Sequence, residues 1–576
     1  MMREWIKKWM SLWGLGVLAL MGCSTPSASD LEVQIQGTRN DDTGNYQYHG
    51  GLFKVWVTLD EGVSGEDNVR WKTGKADIAI RNNTTDANGL IASDTVYLHW
   101  ESLPDSVLIL DTTITATSDS TADTTVDTTY EYLDSIAVVI DGEESLVEAV
   151  EICNILPKID SVWMGGIGQI GDSTITLAVH PGERMELAFR FTDAYNTAYP
   201  VQNIAWPDEI GSLAVTQQLD TMWTWTWDAP NSLMDTLLPL VLTDKGGYGT
   251  REYSLHLVVY NEAGAAWTVS GNELVKFSPG GSEVARVDGG FQEVSEIVVN
   301  SNSTVSNKVW VLDAGIGASA IYQFDTYGRL VWADSTTLNS PYSLAVDVES
   351  RLLWVSDLAS VSGDTLYSSI HRFNLNGSDS VLQEVGTAFS VPGPVRGLSV
   401  DQYECTFVWF VSPEMDFVGY IRTGDSTTRI FADSVYAFNR PTAASYDATT
   451  GLVWIADSSR VLVMDSAGNV QATITGFTNA NSLSAAGGVC WVADIVAGVV
   501  YRFAGTLTGS RSISDGLAVD GFIEPASVST YAADQGVWVA DKGAGEVVRL
   551  DVSGSRLSGG SGLTLPTLVR VNQVIE

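Results

Sequence analysis

The chain has 576 residues with 45% hydrophobic side chains, enough for several packed cores, which excludes general disorder. Against 31 Lys and Arg stand 70 Asp and Glu, a formal charge of −39; this excludes nucleic acid bound through counterion release and disfavours adhesion to anionic lipid headgroups. Four cysteines in a chain of this length exclude a disulfide-built scaffold.

At the N-terminus, MMREWIKKWMSLWGLGVLALMGC places Arg3, Lys7 and Lys8 ahead of an apolar run from Trp9 to Met21. That run is too short to span a bilayer as a stable helix, so residues 1–22 are expected to be a signal peptide. The end Leu20-Met21-Gly22-Cys23 resembles the bacterial lipobox. The resemblance implies a lipidated Cys23 as the mature N-terminus, because small Gly22 fits the signal-peptidase pocket and the thiol accepts the diacylglycerol. Two or three acyl chains then anchor the protein, each buried methylene contributing about 0.8 kcal/mol. The expectation is an extracytoplasmic protein whose one membrane contact is the lipid at Cys23, in the outer membrane or at the cell surface. Residues 23–30, small and polar after the cysteine, form a flexible tether.

From residue 31 to 160 come successive strand-like runs, among them LEVQIQG, LFKVWVTLD, TVYLHW, SIAVVID and SLVEAVEIC, a pattern that predicts a β-sandwich. A Ser/Thr/Asp-rich insert, Asp111 to Asp134, is expected to interrupt it as a flexible loop. Residues 161–263 form a second sandwich candidate. Its MWTWTWDAP and LTDKGGYGT segments resemble bacterial Ig-like or cadherin-like modules, which implies a spacer, and the DKGG turn supplies residues suited to positive φ.

The remainder, 264–576, repeats. A strand led by tryptophan recurs at Trp267, Trp310, Trp354, Trp409, Trp454, Trp491 and Trp538, at intervals of 43, 44, 55, 45, 37 and 47 residues. Such spacing suits one four-stranded blade per unit. The first unit begins at its tryptophan strand without a strand before it, while the last residues, LPTLVRVNQVIE, supply such a strand with no tryptophan after it. Joined, they complete one blade and close a ring, which removes exposed sheet edges. Units such as LAVDVESRLLWVSD and VWVADKGAGEVVRLDVSG resemble the NHL and YVTN-type propeller families. The resemblance implies a seven-bladed β-propeller and no particular activity. The fold expected for the whole chain is all-β: two β-sandwich (Ig-like) modules followed by that propeller.

Chemistry is sparse. Asp313, Asp357, Asp457, Asp494 and Asp541 follow the tryptophans, and each is expected to cap the turn after its strand, with Ser270 and Ser412 doing so more weakly. The tryptophans are expected between neighbouring blades. Cys153, Cys405 and Cys490 each lie in or beside an apolar run, which predicts buried free thiols rather than nucleophiles. His371 is the one histidine of the repeat region and is expected at an exposed or edge position. Asp347–Trp354 and Asp447–Trp454 superficially resemble the docking motif of pyrroloquinoline-quinone propellers; their separation of 7 is one residue short, so no quinone is expected. No Walker loop, CxxC pair, HExxH or GxSxG elbow occurs.

No catalytic, cofactor-binding or metal residue is therefore assigned, calcium on the acidic surface being the sharper reading of the charge. The expected function is display of a propeller for a protein or glycan partner. A metal-dependent hydrolase or lyase of lactonase type, and a structural part of an envelope assembly, are the alternatives. LASVSGDTLYSSIHRF and VPGPVRGLSVDQYECTF, in the longest interval, are the expected distinctive surface.

Overall fold

Short runs that alternate apolar and polar residues between Gly, Pro, Asn and Asp favour paired strands, and the computed structural model is all-β. It describes the strand backbone between Glu32 and Cys153 and, from Lys158 to Gln573, backbone and side chains apart from short loop stretches. The leader, Cys23 and the tether lie outside the described residues, as does Cys405.

Between Glu32 and Cys153 the strands form two sheets, one in the order Glu32–Gln36, Leu52–Thr58, Thr95–His99, Asp77–Ala79. The Ser/Thr/Asp-rich insert is not a loop. Ser106–Ala116 pairs antiparallel with Ala122–Ile140, in continuous register from Ala116 opposite Ala122 to Ser106 opposite Tyr132. Repeated Thr and Val are stiff at χ1 and, like the aromatic Tyr, prefer extended backbone, and this outweighs the polar composition.

Residues 158–259 form two further sheets that enclose one core. Phe189, Phe191, Trp225 and Trp227 from one sheet meet Leu240, Leu242, Leu255 and Leu257 from the other, all nearly or completely buried. The Trp227 indole N–H donates to the Ile210 carbonyl at 2.6 Å, which satisfies its one polar atom inside the core.

Beyond Ala265 the architecture is propeller-like. Antiparallel sheets stand side by side, each with one innermost strand. These strands are Val294–Asn300, Pro341–Asp347, Gly397–Val400, Pro441–Asp447, the second half of Val470–Ala486, Pro525–Tyr531 and Pro566–Val571, and they touch one another in cyclic order. The last pairs with Ala266–Ser270, so the end of the chain completes the sheet that its first repeat begins. Proline opens several innermost strands because they are sheet edges, where its missing N–H removes no ladder bond.

The tryptophans join neighbouring sheets. Each is at most 2% exposed. Trp267 packs among Ile297, Val311 and Phe324 of the following sheet, Trp409 among Val453 and Ile455, and Trp538 among Ala266, Val275 and Val571. The uneven intervals also have structural causes. In the long one, Leu352–Ser362 and Thr365–Asn374 form an extended hairpin, and Phe389–Pro392 adds to its rim. In the short one, Val470–Ala486 runs without a break from the outer strand of one sheet into the innermost strand of the next.

Candidate functional site

Outer hairpins of the ring turn on a shared device. In DTYGR, DSAGN and DVSGS, the leading Asp325, Asp465 and Asp551 accept the N–H of Arg329, Asn469 and Ser555, at 2.8–2.9 Å. Gly328, Gly468 and Gly554 supply the required positive φ of 83–88°.

Three of the aspartates after the tryptophans cap the following turn as expected, accepting the N–H of Gly315, Ala497 and Ala544 at 3.1–3.3 Å, but their shorter hydrogen bonds run upstream. Asp541 accepts the N–H of Ile523 at 2.9 Å and of Glu524 at 2.8 Å, and Asp494 those of Thr478 at 2.6 Å and Asn479 at 3.0 Å. Asp313, Asp357 and Asp457 do the same to Glu293, Ser340 and Asn439. Each buried carboxylate thus fastens the loop that precedes its sheet, whereas the turn after its strand is a secondary target, as at Ala497 and Ala544. Ser270 keeps the role by accepting the Thr564 N–H at 2.8 Å, but the Ser412 hydroxyl is buried with no hydrogen-bond partner. Asp494→Ala would leave the part-buried N–H groups of Thr478, Asn479 and Ala497 without this acceptor, and about 1–2 kcal/mol of stability is expected to be lost in urea unfolding, with Asp494→Asn recovering part of it.

Inside the ring the innermost strands enclose a cavity of about 390 Å³. One edge of each such strand has no ladder partner, so its N–H groups need other acceptors. Serines of the preceding sheet provide them. Ser445 accepts Ala485 N–H, Ser484 accepts Thr530 N–H and Ser529 accepts Val571 N–H, all at 2.9–3.0 Å. Ser343, Ser482 and Ser527 repeat the contact one layer away.

At the seam of the ring this ladder becomes ionic. The Arg570 guanidinium donates to Glu296 at 2.5 Å and to Ser527 at 3.2 Å, and Ser343 donates to the other Glu296 oxygen at 3.3 Å. Burial lifts the Glu296 carboxyl above its ordinary range even with Arg570 beside it. A lone Arg in LVRV and a lone Glu in VSEIVV stand out as charges within apolar strands, but neither segment marks the other as its partner.

Other residues fall where their chemistry is structural. Asp447 binds its own turn through Thr449 N–H at 3.2 Å and Thr450 Oγ1 at 2.8 Å. His371 pairs with Glu384 at 2.8 Å between strands, 17% exposed. Cys490 is a buried free thiol, which burial pushes well above its ordinary pKa, and Cys153 lies on a strand. Among the described residues no three His, Cys, Asp or Glu side chains converge as metal ligands, and no helix is long and apolar enough to cross a membrane.

The two faces of the ring differ. Innermost strands begin on one face, and the turns between the tryptophan strand and its successor lie on that same face. There Val496 is 64% exposed, Ile523 67% and Leu565 57%, with Met415 and Tyr342 also exposed. The Arg396 guanidinium lies 4.1 Å from the centre of the Tyr342 ring and pairs with Glu414. At the opposite face, where the innermost strands end, the ring meets the module that precedes it.

No family model and no curated protein sequence matches the chain. Among solved structures, a functionally unknown protein from Desulfotomaculum acetoxidans is 10% identical, with a TM-score of 0.43, over 54% of this chain and 99% of its own. A putative 6-phosphogluconolactonase from Bacteroides fragilis is 11% identical, with a TM-score of 0.40, over 54% and 98%. A quinonprotein alcohol dehydrogenase-like protein from Bacteroides thetaiotaomicron is 11% identical, with a TM-score of 0.39, over 69% and 96%.

Proposed function

We propose that the chain is a lipid-anchored extracytoplasmic binding protein, non-catalytic, that displays a seven-bladed propeller to a protein partner. In this reading Cys23 carries the lipid, residues 31–160 and 161–263 are Ig-like sandwich modules, and residues 264–576 are an NHL/YVTN-type propeller. The modules hold the ring away from the membrane. The observation that carries the reading is the exposure of Val496, Ile523, Leu565, Met415 and Tyr342 on one face, while the opposite face is occupied by the preceding module. Large apolar side chains gathered on one face of a soluble ring fit a partner with apolar anchors.

The test uses the soluble mature chain carrying Cys23→Ser and the same chain with Val496→Asp, Ile523→Asp and Leu565→Asp added. Captured envelope proteins are compared after matching circular dichroism. A protein partner held by the first chain is expected to bind at least about tenfold more weakly to the second. Equal retention by both, or retention only of glycan, would reject the assignment of this face to a protein. The anchor is tested separately: fatty-acid labelling of the full-length chain is expected to disappear in Cys23→Ser.

A further inference from the structure

The linker between the second module and the ring carries a buried polar cluster that joins three parts of the chain. Glu262, on the linker, accepts the Lys276 ammonium at 2.6 Å and the Asn572 amide at 2.9 Å, both from the ring. Lys276 is completely buried and also donates to Tyr260 at 3.0 Å and to the Thr326 carbonyl at 2.7 Å. From the module, His180 places Nε2 at 3.1 Å from Glu262 and Nδ1 at 2.9 Å from the Tyr327 hydroxyl and 3.3 Å from Glu183. Tyr327, on a hairpin of the ring, donates to Glu183. A second contact nearby has the same make-up: His256 of the module lies 2.8 Å from Asp235, which accepts the Ser282 hydroxyl of the ring.

We propose that this junction is a proton-operated latch, in which protonated His180 fastens the module to the ring and its deprotonation releases the ring to move on its stalk. With both ring nitrogens protonated, Nε2–H donates to Glu262 and Nδ1–H faces the Glu183 carboxylate, while Tyr327 donates to the same carboxylate, so every contact is complementary. Neutral His180 has one N–H. If Nε2 keeps it, the Nδ1 lone pair faces Glu183, and the Tyr327 proton cannot serve both acceptors. If Nδ1 keeps it, a lone pair faces Glu262.

The groups around His180 set the sign. Burial lowers its pKa, but hydrogen bonds to Glu183 and Glu262 outweigh that and the Lys276 charge, so the docked value lies above the ordinary 6.5. Glu262 and Glu183 are both held below the ordinary 4.5, against burial, by these same contacts, and Tyr327 and Tyr260 are raised and stay neutral. Asp325 acts on Lys276 and Tyr327 from the same hairpin. The contribution of His180 to docking is therefore present in full below 6.5 and lost as pH rises through the docked value. The inference does not depend on what the ring binds.

Amide hydrogen exchange on the full mature chain, corrected for intrinsic rates, tests it between pH 6 and 9. Protection of residues 259–265 and 325–329 is expected to fall by up to about tenfold per pH unit, since one proton is taken up on docking. His180→Gln is expected to show low protection there at every pH, while Gly536–Asp541 stays protected as in the parent. Glu183→Gln is expected to keep the transition at a lower midpoint. Parent protection that does not change with pH overturns the latch, and so does an unchanged transition in His180→Gln. If His180→Gln loses Gly536–Asp541 protection as well, the Glu183→Gln midpoint decides, and an unshifted one overturns the proposal.

Discussion

Replacing Trp538 with alanine is expected to destabilise the ring by about 3–5 kcal/mol, more than any single loop substitution. The indole is completely buried at the seam, where the first and last parts of the repeat region share one sheet. It packs among Ala266, Val275, Phe277, Val569 and Val571, and its N–H donates to the Gly264 carbonyl at 3.0 Å. Alanine would leave a cavity that a paired β-sheet cannot close, and would orphan the Gly264 carbonyl. Trp310→Ala is the internal comparison. Its indole N–H is buried without a partner, so its loss removes packing and no hydrogen bond. Guanidinium unfolding of both variants should place Trp538→Ala lower, with faster exchange across Pro566–Val571. A loss under about 1 kcal/mol would mean that the seam is held by strand pairing and not by the tryptophan.

What could be read along the chain was what repeats within it. The tryptophan spacing is legible because each sheet touches its neighbours in sequence order, so one packing problem is solved the same way many times. The aspartates were legible as residues of a turn but not as to which turn. Asp541 reaches a loop 17 and 18 residues upstream, and that target depends on a strand register which residue types do not specify. The insert after Asp111 is polar in composition yet pairs as strands, because the χ1 stiffness of its Thr and Val residues outweighs that polarity. Pairs that cross the fold were out of reach: Arg570 and Glu296 are separated by 274 positions, and nothing local marks them as partners.

Lys276 and Glu262 are only 14 positions apart, yet their pairing depends on how the linker meets the ring, and here a second large effect is expected. Lys276→Met alone should cost about 3–5 kcal/mol, because it leaves the Glu262 carboxylate nearly buried beside one histidine and an amide. Joining it to Glu262→Gln should recover at least about half of that, since the glutamine carbonyl still accepts from Asn572 and no charge remains unpaired. A double variant no more stable than the single one would mean that the pair contributes through packing of the lysine stem. The pH dependence supplies an independent check. Burial alone would raise the Glu262 carboxyl, but the Lys276 charge and the hydrogen bonds from His180 and Lys276 hold it at about 2. Its contribution is thus present above the ordinary 4.5 and is lost as pH falls toward 2, so Glu262→Gln should be most damaging near pH 6 and nearly silent near pH 2. The lysine pair therefore fails on the acid side and the His180 contact on the alkaline side. Docking of the module should be tightest between the two, and a junction that loosens only in acid would be held by Glu262 and Lys276 without any part for the histidine.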